Sequence, residues 1–186
     1  MVMTEGIRVG GRSARIQIAV HQAVRELSRE IDRGDLTIPR IAERAGVTPS
    51  TIYRRWRELT DLLADVAVER LRPASDPTDT GSVRSDLKKW AEQYLEEMSS
   101  EVGRMMLHDV LANAHDDKTV GQCDEYTRGQ LSIISGRARK RGECSFDVDD
   151  AIDLLIAPLM YRILFSRREI TLPYCMNLVD RLLPEN

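Results

Sequence analysis

The feature that most constrains this fold is a pair of helix-start signals on either side of Gly46. Thr37 and Thr48 each stand just before a proline-containing segment; threonine is a favourable N-cap, and proline fits the first turn of a helix. Gly46 allows a sharp turn between the two segments, because glycine reaches positive φ values at little steric cost. The pattern predicts two short helices, 38–45 and 49–56, joined by a tight turn.

The second predicted helix has one apolar side and one polar side. Ile52 and Trp56 are spaced to pack on a core, so the polar side chains around them face outward. A helix set after such a turn enters the major groove of DNA; side chains near its N-terminus read base edges, and hydroxyls and arginines bind phosphates. Segment 37–56 therefore predicts a helix-turn-helix. Its outward residues are Ser50, Thr51, Tyr53, Arg54 and Arg55.

Charge is divided unevenly along the chain and supports this interpretation. The whole chain carries a net charge of −3. Residues 1–72 contain 13 arginines and 10 acidic residues, which gives +3, whereas residues 73–186 contain 14 basic and 20 acidic residues, which gives −6. Positive charge is thus concentrated where contacts with DNA phosphates are expected.

Apolar residues recur at helical spacing over nearly the whole chain, and no segment shows strand alternation. The predicted fold class is therefore all-α, with about nine helices. Gly34 is expected to end the first helix, and Ser82 to cap the fifth. Apart from the two helices above, the segments with helical periodicity are 13–32, 60–71, 83–98, 102–115, 119–141, 147–165 and 171–183.

Residues 72–82 are poor in apolar residues and rich in turn formers, which predicts a linker. The expected domains are residues 1–72, a helix-turn-helix domain with a connecting fourth helix, and residues 73–186, a second helical domain. Segments 147–165 and 171–183 are apolar on more than one face. In a chain of this size we expect a partner subunit to cover the excess.

Other classes of protein are disfavoured. No nucleophile stands beside a candidate base and no phosphate-binding loop is present, so an enzyme is not expected. The cysteines, Cys123, Cys144 and Cys175, are odd in number and far apart, which predicts free thiols and argues against a disulfide framework or a metal site; no cofactor is expected. No apolar run approaches the ~20 residues of a membrane helix, and the polar N-terminus predicts a cytoplasmic protein.

Four longer motifs carry a resemblance to a known family. They are "IAERAGV" (41–47) and "TIYRRW" (51–56) in the first third, and "RARKRGE" (137–143) and "IAPLMYRILFSRREIT" (156–171) after the linker. In these motifs the chain resembles the TetR family of transcriptional regulators. The resemblance implies a three-helix DNA-binding domain, a connecting fourth helix, and a helical ligand-binding domain that dimerises through its last two helices.

The resemblance also implies particular DNA contacts. The residues at positions where family members touch DNA are Thr37, Thr48, Ser50, Thr51, Tyr53 and Arg54. An arginine-rich arm with Arg8, Arg12 and Arg15 is expected to add backbone or minor-groove contacts. Leu59 stands where many members have a phosphate-binding lysine; either Arg57 replaces that lysine or the contact is absent.

Family members generally bind a small molecule among the C-terminal helices, and aromatic and methionine side chains suit a mostly apolar cavity, although the same stripe is also typical of plain core. The candidate pocket residues are Trp90, Tyr94, Met98, Met105, Met106, Cys123 and Tyr126. The candidate dimer-interface residues are Leu155, Leu159, Arg162, Ile163, Phe165, Met176, Val179 and Leu183. Pro158 is expected to kink the helix that contains it.

The predicted function is a homodimeric transcriptional regulator that binds a double-stranded DNA operator. We expect a repressor that a small-molecule ligand releases from a near-palindromic site, because two heads must enter successive major grooves. The alternative is a DNA-binding regulator whose C-terminal domain docks a protein partner or senses no ligand. A fully packed C-terminal domain without a cavity would favour that alternative.

Overall fold

The computed structural model describes residues 11–113, 117–166 and 168–183. Within these ranges every regular element is helical and no strand is present, which confirms the all-α class. None of the described helices is both long and apolar enough to cross a membrane. The α-helices are α1 (Arg12–Glu30), α2 (Ile38–Ala45), α3 (Pro49–Tyr53), α4 (Leu59–Leu71), α5 (Val83–Ser99), α6 (Glu101–Ala112), α7 (Asp117–Arg141), α8 (Val148–Ala151), α9 (Ala157–Phe165) and α10 (Leu172–Leu182).

The chain forms two compact units, of which the first ends at Val66 and the second begins at Ala67, inside α4. In the first unit α2 packs on α1, and α3 packs on α2. An ion pair of 2.6 Å between Arg44 Nη2 and Glu30 Oε2 also joins α2 to α1. The buried core of this unit consists of Val20, Ala23, Val24, Leu27, Leu36, Ile38, Ile41, Ala42, Ile52, Trp56, Leu62, Leu63 and Val66.

The end of α1 differs from the prediction. The helix ends at Glu30, and Ile31 follows in an extended conformation with φ of −134°. Ile31 is half-buried against the core of the first unit. Gly34 lies in a short 3₁₀ turn, Arg33–Asp35, and is not among the glycines with positive φ. The prediction that Gly34 ends α1 was therefore wrong, because the chain turns into the core at Ile31 before it reaches the glycine.

In the second unit α5 lies against both α7 and α10, and the helix that ends in α9 packs beside them. The main core of this unit consists of Val83, Leu87, Trp90, Ala91, Leu95, Leu131, Ile134, Ala138, Phe146, Ala151, Leu155, Ile156, Leu159, Cys175, Leu178, Val179 and Leu183. A smaller cluster joins the end of α4 to α6 through Ala67, Val68, Met106 and Val110.

The helix from Val148 to Phe165 is continuous but changes its geometry in the middle. Residues 152–156 form a π-helical turn between α8 and α9, and Pro158 is the second residue of α9. Proline has no N–H to donate and its ring crowds the preceding turn, so the regular hydrogen-bond ladder cannot pass through this position. The irregularity expected at Pro158 is thus present as a π turn directly before the proline, a common site of helix distortion.

The segment before α5 is fixed by side chains of the "RARKRGE" motif. Arg137 Nη1 donates to the carbonyl of Pro77 at 2.5 Å, and Arg141 Nη1 donates to Asp79 Oδ1 at 2.9 Å. Arg141 Nη2 also donates to Asp86 Oδ2 at 2.8 Å, and Asp86 is completely buried. Residues 72–82, predicted as a linker, are therefore held against α7 by charged hydrogen bonds.

Candidate DNA-binding surface and C-terminal cavity

The turn between α2 and α3 has the geometry that the sequence predicts. Gly46 adopts a left-handed conformation with φ of 65°. Its N–H donates to the Glu43 carbonyl at 3.1 Å, and the N–H of Val47 donates to the Ala42 carbonyl at 3.0 Å. This paired arrangement ends α2 abruptly and sends the chain into α3 without a longer loop.

Exposed hydroxyl groups cluster at the start of α3. Thr48 Oγ1 lies 2.9 Å from both Ser50 Oγ and Thr51 Oγ1. Thr37 and Thr48 occupy the N-cap positions of α2 and α3, but neither side chain makes a capping hydrogen bond. Because the Thr48 hydroxyl is engaged with other hydroxyls at the surface, the cluster presents donors that suit phosphate oxygens or base edges.

The next residues of α3 project from the surface. The side chain of Tyr53 is 52% exposed. Arg54 is exposed too, and its guanidinium has no ion-pair partner within the described part of the chain. α3 ends at Tyr53, earlier than the predicted 49–56. Trp56 is nevertheless buried in the core as expected, so the polar and apolar sides of this segment are oriented as predicted.

Arg55 differs from its neighbour. Its Nη1 donates to both the carbonyl and the hydroxyl of Ser13 at 3.0 Å, and its Nη2 donates to Gln17 Oε1 at 2.6 Å. The guanidinium also lies 5.3 Å from the centre of the Trp56 ring. Most of the donors of Arg55 are therefore directed at α1, which aligns the end of the α3 segment with the start of α1.

One carboxylate oxygen holds this arrangement from the other side. Asp65 Oδ2, in α4, accepts from Trp56 Nε1 at 3.0 Å and lies 3.0 Å from His21 Nε2 and 3.3 Å from Gln17 Nε2. Partial burial acts to raise the pKa of Asp65, but the hydrogen bonds from His21 and Trp56 and the charge of Arg55 outweigh it, so the pKa is lowered. The carboxylate therefore stays ionised at neutral pH.

The remaining residues predicted to contact DNA differ in how far they are exposed. Arg12 and Arg15 are exposed on the first turns of α1, the end that Arg55 contacts through Ser13, whereas Arg8 lies outside the described residues. Leu59 is half-buried and packs on the core, so it presents no group to a phosphate. Arg57 is exposed, two residues before the start of α4.

The second unit contains a cavity of about 690 Å³ between the segment 70–78 and helices α5, α6, α7 and α9. Five of the seven predicted pocket residues line it, namely Trp90, Tyr94, Met98, Cys123 and Tyr126. Met105 and Met106 do not: Met106 packs with Val110 and the end of α4 in the smaller core cluster. These two methionines are therefore not among the residues that line this cavity.

Two aromatic rings form one wall of the cavity. Trp90 and Tyr94 stack with ring centres 5.1 Å apart and planes inclined by 25°. Burial raises the pKa of Tyr94 to about 12, although a hydrogen bond with Thr127 acts in the opposite direction. Burial likewise raises the pKa of the Cys123 thiol. Both groups are therefore protonated and uncharged at neutral pH.

Comparisons with known proteins agree with this geometry. A family model described as the tetracyclin repressor-like C-terminal domain matches residues 77–182, and a model for bacterial regulatory proteins of the tetR family matches residues 23–66. The first match alone spans more than half of the chain. The chain belongs to the TetR family. It is therefore a DNA-binding transcriptional regulator and not an enzyme.

Individual proteins similar to this chain are also transcriptional regulators. This TetR-family chain is 29% identical over 150 residues to the uncharacterized HTH-type transcriptional regulator Mb1581 of Mycobacterium bovis, which covers 78% of this chain and 74% of that protein. It is 26% identical over 170 residues to the HTH-type regulator YdeS of Bacillus subtilis, with coverages of 87% and 84%. The crystal structure of the TetR-family regulator SCO0332 has the same fold, with a TM-score of 0.69 and 24% identity over 91% of this chain and 97% of that one.

The predicted dimer-interface residues of this TetR-family regulator need correction. Five of the eight are buried inside the single chain, at 0–5% exposure, and offer little surface to a partner: Leu155, Leu159, Ile163, Val179 and Leu183. Arg162 lies over the Tyr174 ring at 3.7 Å, and Met176 is half-buried on the main core. Only Phe165, which is 71% exposed, stands out from the surface.

Sequence reasoning missed an exposed neighbour of Phe165. Tyr161 is 66% exposed, and its ring centre lies 5.6 Å from that of Phe165, one helical turn away on α9. Leu154 and Leu172, at 44% and 43% exposure, are further large apolar side chains that this unit leaves exposed. The available signal was the i, i+4 spacing of the two aromatic residues, which places them on one helix face.

Proposed function

We propose that this TetR-family regulator is a cytoplasmic homodimeric repressor that a small molecule releases from a near-palindromic operator. The observation that carries the proposal is the cavity of about 690 Å³ in the second unit. Its volume is within the range of about 300–1,000 Å³ that small-molecule sites occupy. The alternative, a C-terminal domain that docks a protein partner or senses no ligand, requires no such space.

The DNA contacts that we propose follow the exposure of the first unit. Base edges are read from the start of α3 by Ser50 and Thr51, and phosphates are bound by Thr37, Thr48, Tyr53, Arg54 and Arg12. Arg55 is also part of this surface. Because its guanidinium is hydrogen-bonded to Ser13 and Gln17, its role is to position the reading helix against α1. Arg57 is the candidate for the phosphate contact that Leu59 cannot make.

Two such heads require a symmetric site. A dimer with two-fold symmetry places its reading helices in successive major grooves about 34–36 Å apart, so the half-sites form a near-palindrome. A dimer bound over a promoter excludes other proteins from the DNA it covers, which is the simplest way for it to repress transcription.

Helix α4 provides a route from ligand to DNA. Leu71, at its C-terminal end, lines the cavity, whereas Asp65, within the same helix, holds Trp56 behind the reading helix. A ligand that displaces the end of α4 therefore favours a conformation in which the two heads no longer match the operator. Operator affinity falls by at most the ratio of the ligand's affinities for the two conformations.

The test begins with the operator, identified by selecting genomic fragments that the purified protein retains. Binding of the labelled operator is then measured by fluorescence anisotropy for Tyr53→Ala and Arg54→Ala. We expect each variant to bind about 5- to 100-fold more weakly, as for the removal of a base or phosphate interaction. Arg29→Ala, which removes an exposed arginine from the far end of α1, is the charge-matched control and should bind like the unaltered protein. Unchanged binding by both α3 variants would refute the assigned surface.

A further inference from the structure

We infer that the cavity takes an uncharged, mainly apolar ligand that contains a flat ring and offers a hydrogen-bond acceptor to the Tyr94 hydroxyl. The inference rests on the proposed ligand-responsive function and specifies the chemistry of its ligand. It is carried by the way in which charge, aromatic rings and hydroxyl groups are distributed over the cavity wall.

Charge is confined to the exposed part of the wall. The charged residues that line the cavity are all exposed: Arg70, Arg72, Asp76, Glu97 and Asp124. The buried and half-buried residues that line it are all neutral: Leu71, Pro77, Trp90, Tyr94, Met98, Leu107, Cys123, Tyr126, Thr127, Gln130, Ile152, Ile156 and Met160. An ionic group of the ligand would lose its hydration in the inner part without meeting an opposite charge, which is strongly unfavourable.

The exposed charges offer little to an anion. Arg72 already donates to Tyr126 Oη at 3.2 Å and lies 3.4 Å from Glu69. Asp124 is paired with Arg128 at 2.8 Å. Since three carboxylates and two guanidinium groups stand around this part of the wall, neither sign of charge dominates it, and the exposed part does not select a charged ligand.

The inner wall matches a flat ring. Trp90 and Tyr94, which stack on each other, both line this space, and Ile152, Ile156 and Met160 contribute apolar surface to it. Aromatic faces favour offset stacking with a further ring, and apolar side chains add dispersion contacts along its edges. A ligand with a planar aromatic system therefore gains contact area at a small conformational cost.

The polar groups of the inner wall are hydroxyl, thiol and amide groups. The Tyr94 hydroxyl remains protonated at neutral pH, because burial raises its pKa to about 12, and it can donate to a carbonyl or ether oxygen. The Cys123 thiol is likewise protonated, so it is a poor nucleophile. A ligand with an acceptor close to its ring satisfies the Tyr94 hydroxyl on binding.

The experiment compares three probes of one size that differ in charge: 2-acetonaphthone, 2-naphthoate and 2-naphthylmethylammonium. Dissociation constants are measured by isothermal titration calorimetry with the full chain at pH 7.5. We expect 2-acetonaphthone to bind at least tenfold more tightly than either ion. Equal or tighter binding of an ion, or no binding by any probe, would overturn the inference.

Two variants locate the probe. In Trp56→Phe the only remaining tryptophan is Trp90, so quenching of its fluorescence by 2-acetonaphthone reports occupation of the cavity. Tyr94→Phe should weaken 2-acetonaphthone about 2- to 12-fold, as for the loss of one hydrogen bond, and leave 2-ethylnaphthalene, which has no acceptor, unchanged. Equal effects on both probes would refute the role of the Tyr94 hydroxyl.

Operator release is measured separately, by adding 2-acetonaphthone to the protein–operator complex. Selective binding without release would leave the inferred ligand chemistry intact and contradict the proposed release of the operator. Release by an ion but not by the neutral probe would support the ligand-responsive function and overturn the inferred chemistry.

Discussion

The indole N–H of Trp56 donates a hydrogen bond to Asp65 Oδ2 over 3.0 Å, and the same oxygen lies 3.0 Å from His21 Nε2. Trp56 follows the reading helix, His21 belongs to α1 and Asp65 belongs to α4. One carboxylate oxygen thus joins the three segments that set the direction of the reading helix. Because it serves several donors in a partly buried site, it stabilises one orientation of that helix over others.

Replacing this carboxylate should loosen the head. We expect Asp65→Asn to lower the free energy of unfolding of the first unit by about 1–3 kcal/mol, because the amide brings donors to a position already surrounded by donors. Urea unfolding followed by Trp56 fluorescence in a Trp90→Phe background measures this unit. Glu43→Gln, on the exposed side of α2, makes the same change of charge and should shift the unfolding free energy by less than about 0.5 kcal/mol.

A salt titration separates the roles of Arg54 and Arg55. If Arg54 binds a phosphate, Arg54→Ala should reduce the slope of log affinity against log salt concentration by about 1 for each phosphate that the variant no longer binds. Arg55→Ala should weaken operator binding while leaving the slope nearly unchanged, since its donors are directed at Ser13 and Gln17. A reduced slope for Arg55→Ala would instead make it a residue that binds DNA directly.

The sequence predicts local features better than distant ones. The turn at Gly46 and the N-cap positions of Thr37 and Thr48 depend on residues a few positions apart, and the structure has them where they are expected, although neither threonine side chain makes a capping hydrogen bond. The contact between Arg55 and Ser13 joins residues 42 positions apart, and no local pattern indicates it.

The dimer-interface prediction named five residues that belong to the core of the single chain, for a related reason. Helical periodicity indicates that Leu155 and Leu159 lie on an apolar face, but it does not say which neighbour covers that face. In the structure both leucines belong to the main core, together with side chains of α5 and α10. A partner subunit is therefore not needed to cover them, and the exposed aromatic residues of α9 remain for that role.

The contribution of the Asp86 carboxylate to the stability of the fold should depend on pH. Burial acts to raise the pKa of this carboxyl, but hydrogen bonds from Thr80 and Arg141 outweigh it, so its pKa is lowered from 3.8. A lowered pKa means that the carboxylate stabilises the folded state fully above about pH 4, and that this stabilisation is lost as the pH falls through the folded value. The unaltered protein should therefore have a higher free energy of unfolding than Asp86→Asn. This difference should be constant from about pH 5 to 7 and shrink toward pH 2.

The difference in free energy of unfolding between the unaltered protein and Asp86→Asn is also measured at neutral pH. We expect about 2–4 kcal/mol, because the variant leaves the hydrogen bonds from Thr80 and Arg141 without their charged acceptor. Unfolding is followed by Trp90 fluorescence in a Trp56→Phe background. Asp124→Asn, which breaks an exposed pair with Arg128, should cost less than about 1 kcal/mol. A difference that grows as the pH falls would contradict the assigned direction of the pKa.

Two glycine-to-alanine substitutions should change the free energy of unfolding in opposite directions. A Cβ at Gly103 would lie 2.0 Å from the carbonyl oxygen of Glu97, so Gly103→Ala forces α6 away from the end of α5 and should cost about 2–3 kcal/mol. A Cβ at Gly129, on the exposed side of α7, would meet nothing within 4 Å. Gly129→Ala should therefore stabilise the protein by about 0.5–1 kcal/mol through its helix propensity. Thermal unfolding of both variants checks the pair, and a harmless Gly103→Ala would show that α5 and α6 can separate freely.

The exposed aromatic pair on α9 provides the test of the dimer. Tyr161 and Phe165 are 66% and 71% exposed, and adjacent exposed rings of this size are unfavourable in water unless a partner covers them. We expect the double variant Tyr161→Asp/Phe165→Asp to be a folded monomer at micromolar concentration, because two facing copies would bury four like charges in one interface. Its operator affinity should fall by at least 100-fold, since each head then binds a half-site alone.

Sedimentation velocity measures the assembly state, and circular dichroism establishes that the variant is folded. The control is Leu111→Asp, which places the same charge on an exposed apolar residue of α6, 49% accessible, in the same unit. This control should remain a dimer and bind the operator like the unaltered protein. A monomeric unaltered protein would refute the dimer itself, whereas a dimeric double variant would show that the subunits associate through a surface other than Tyr161 and Phe165.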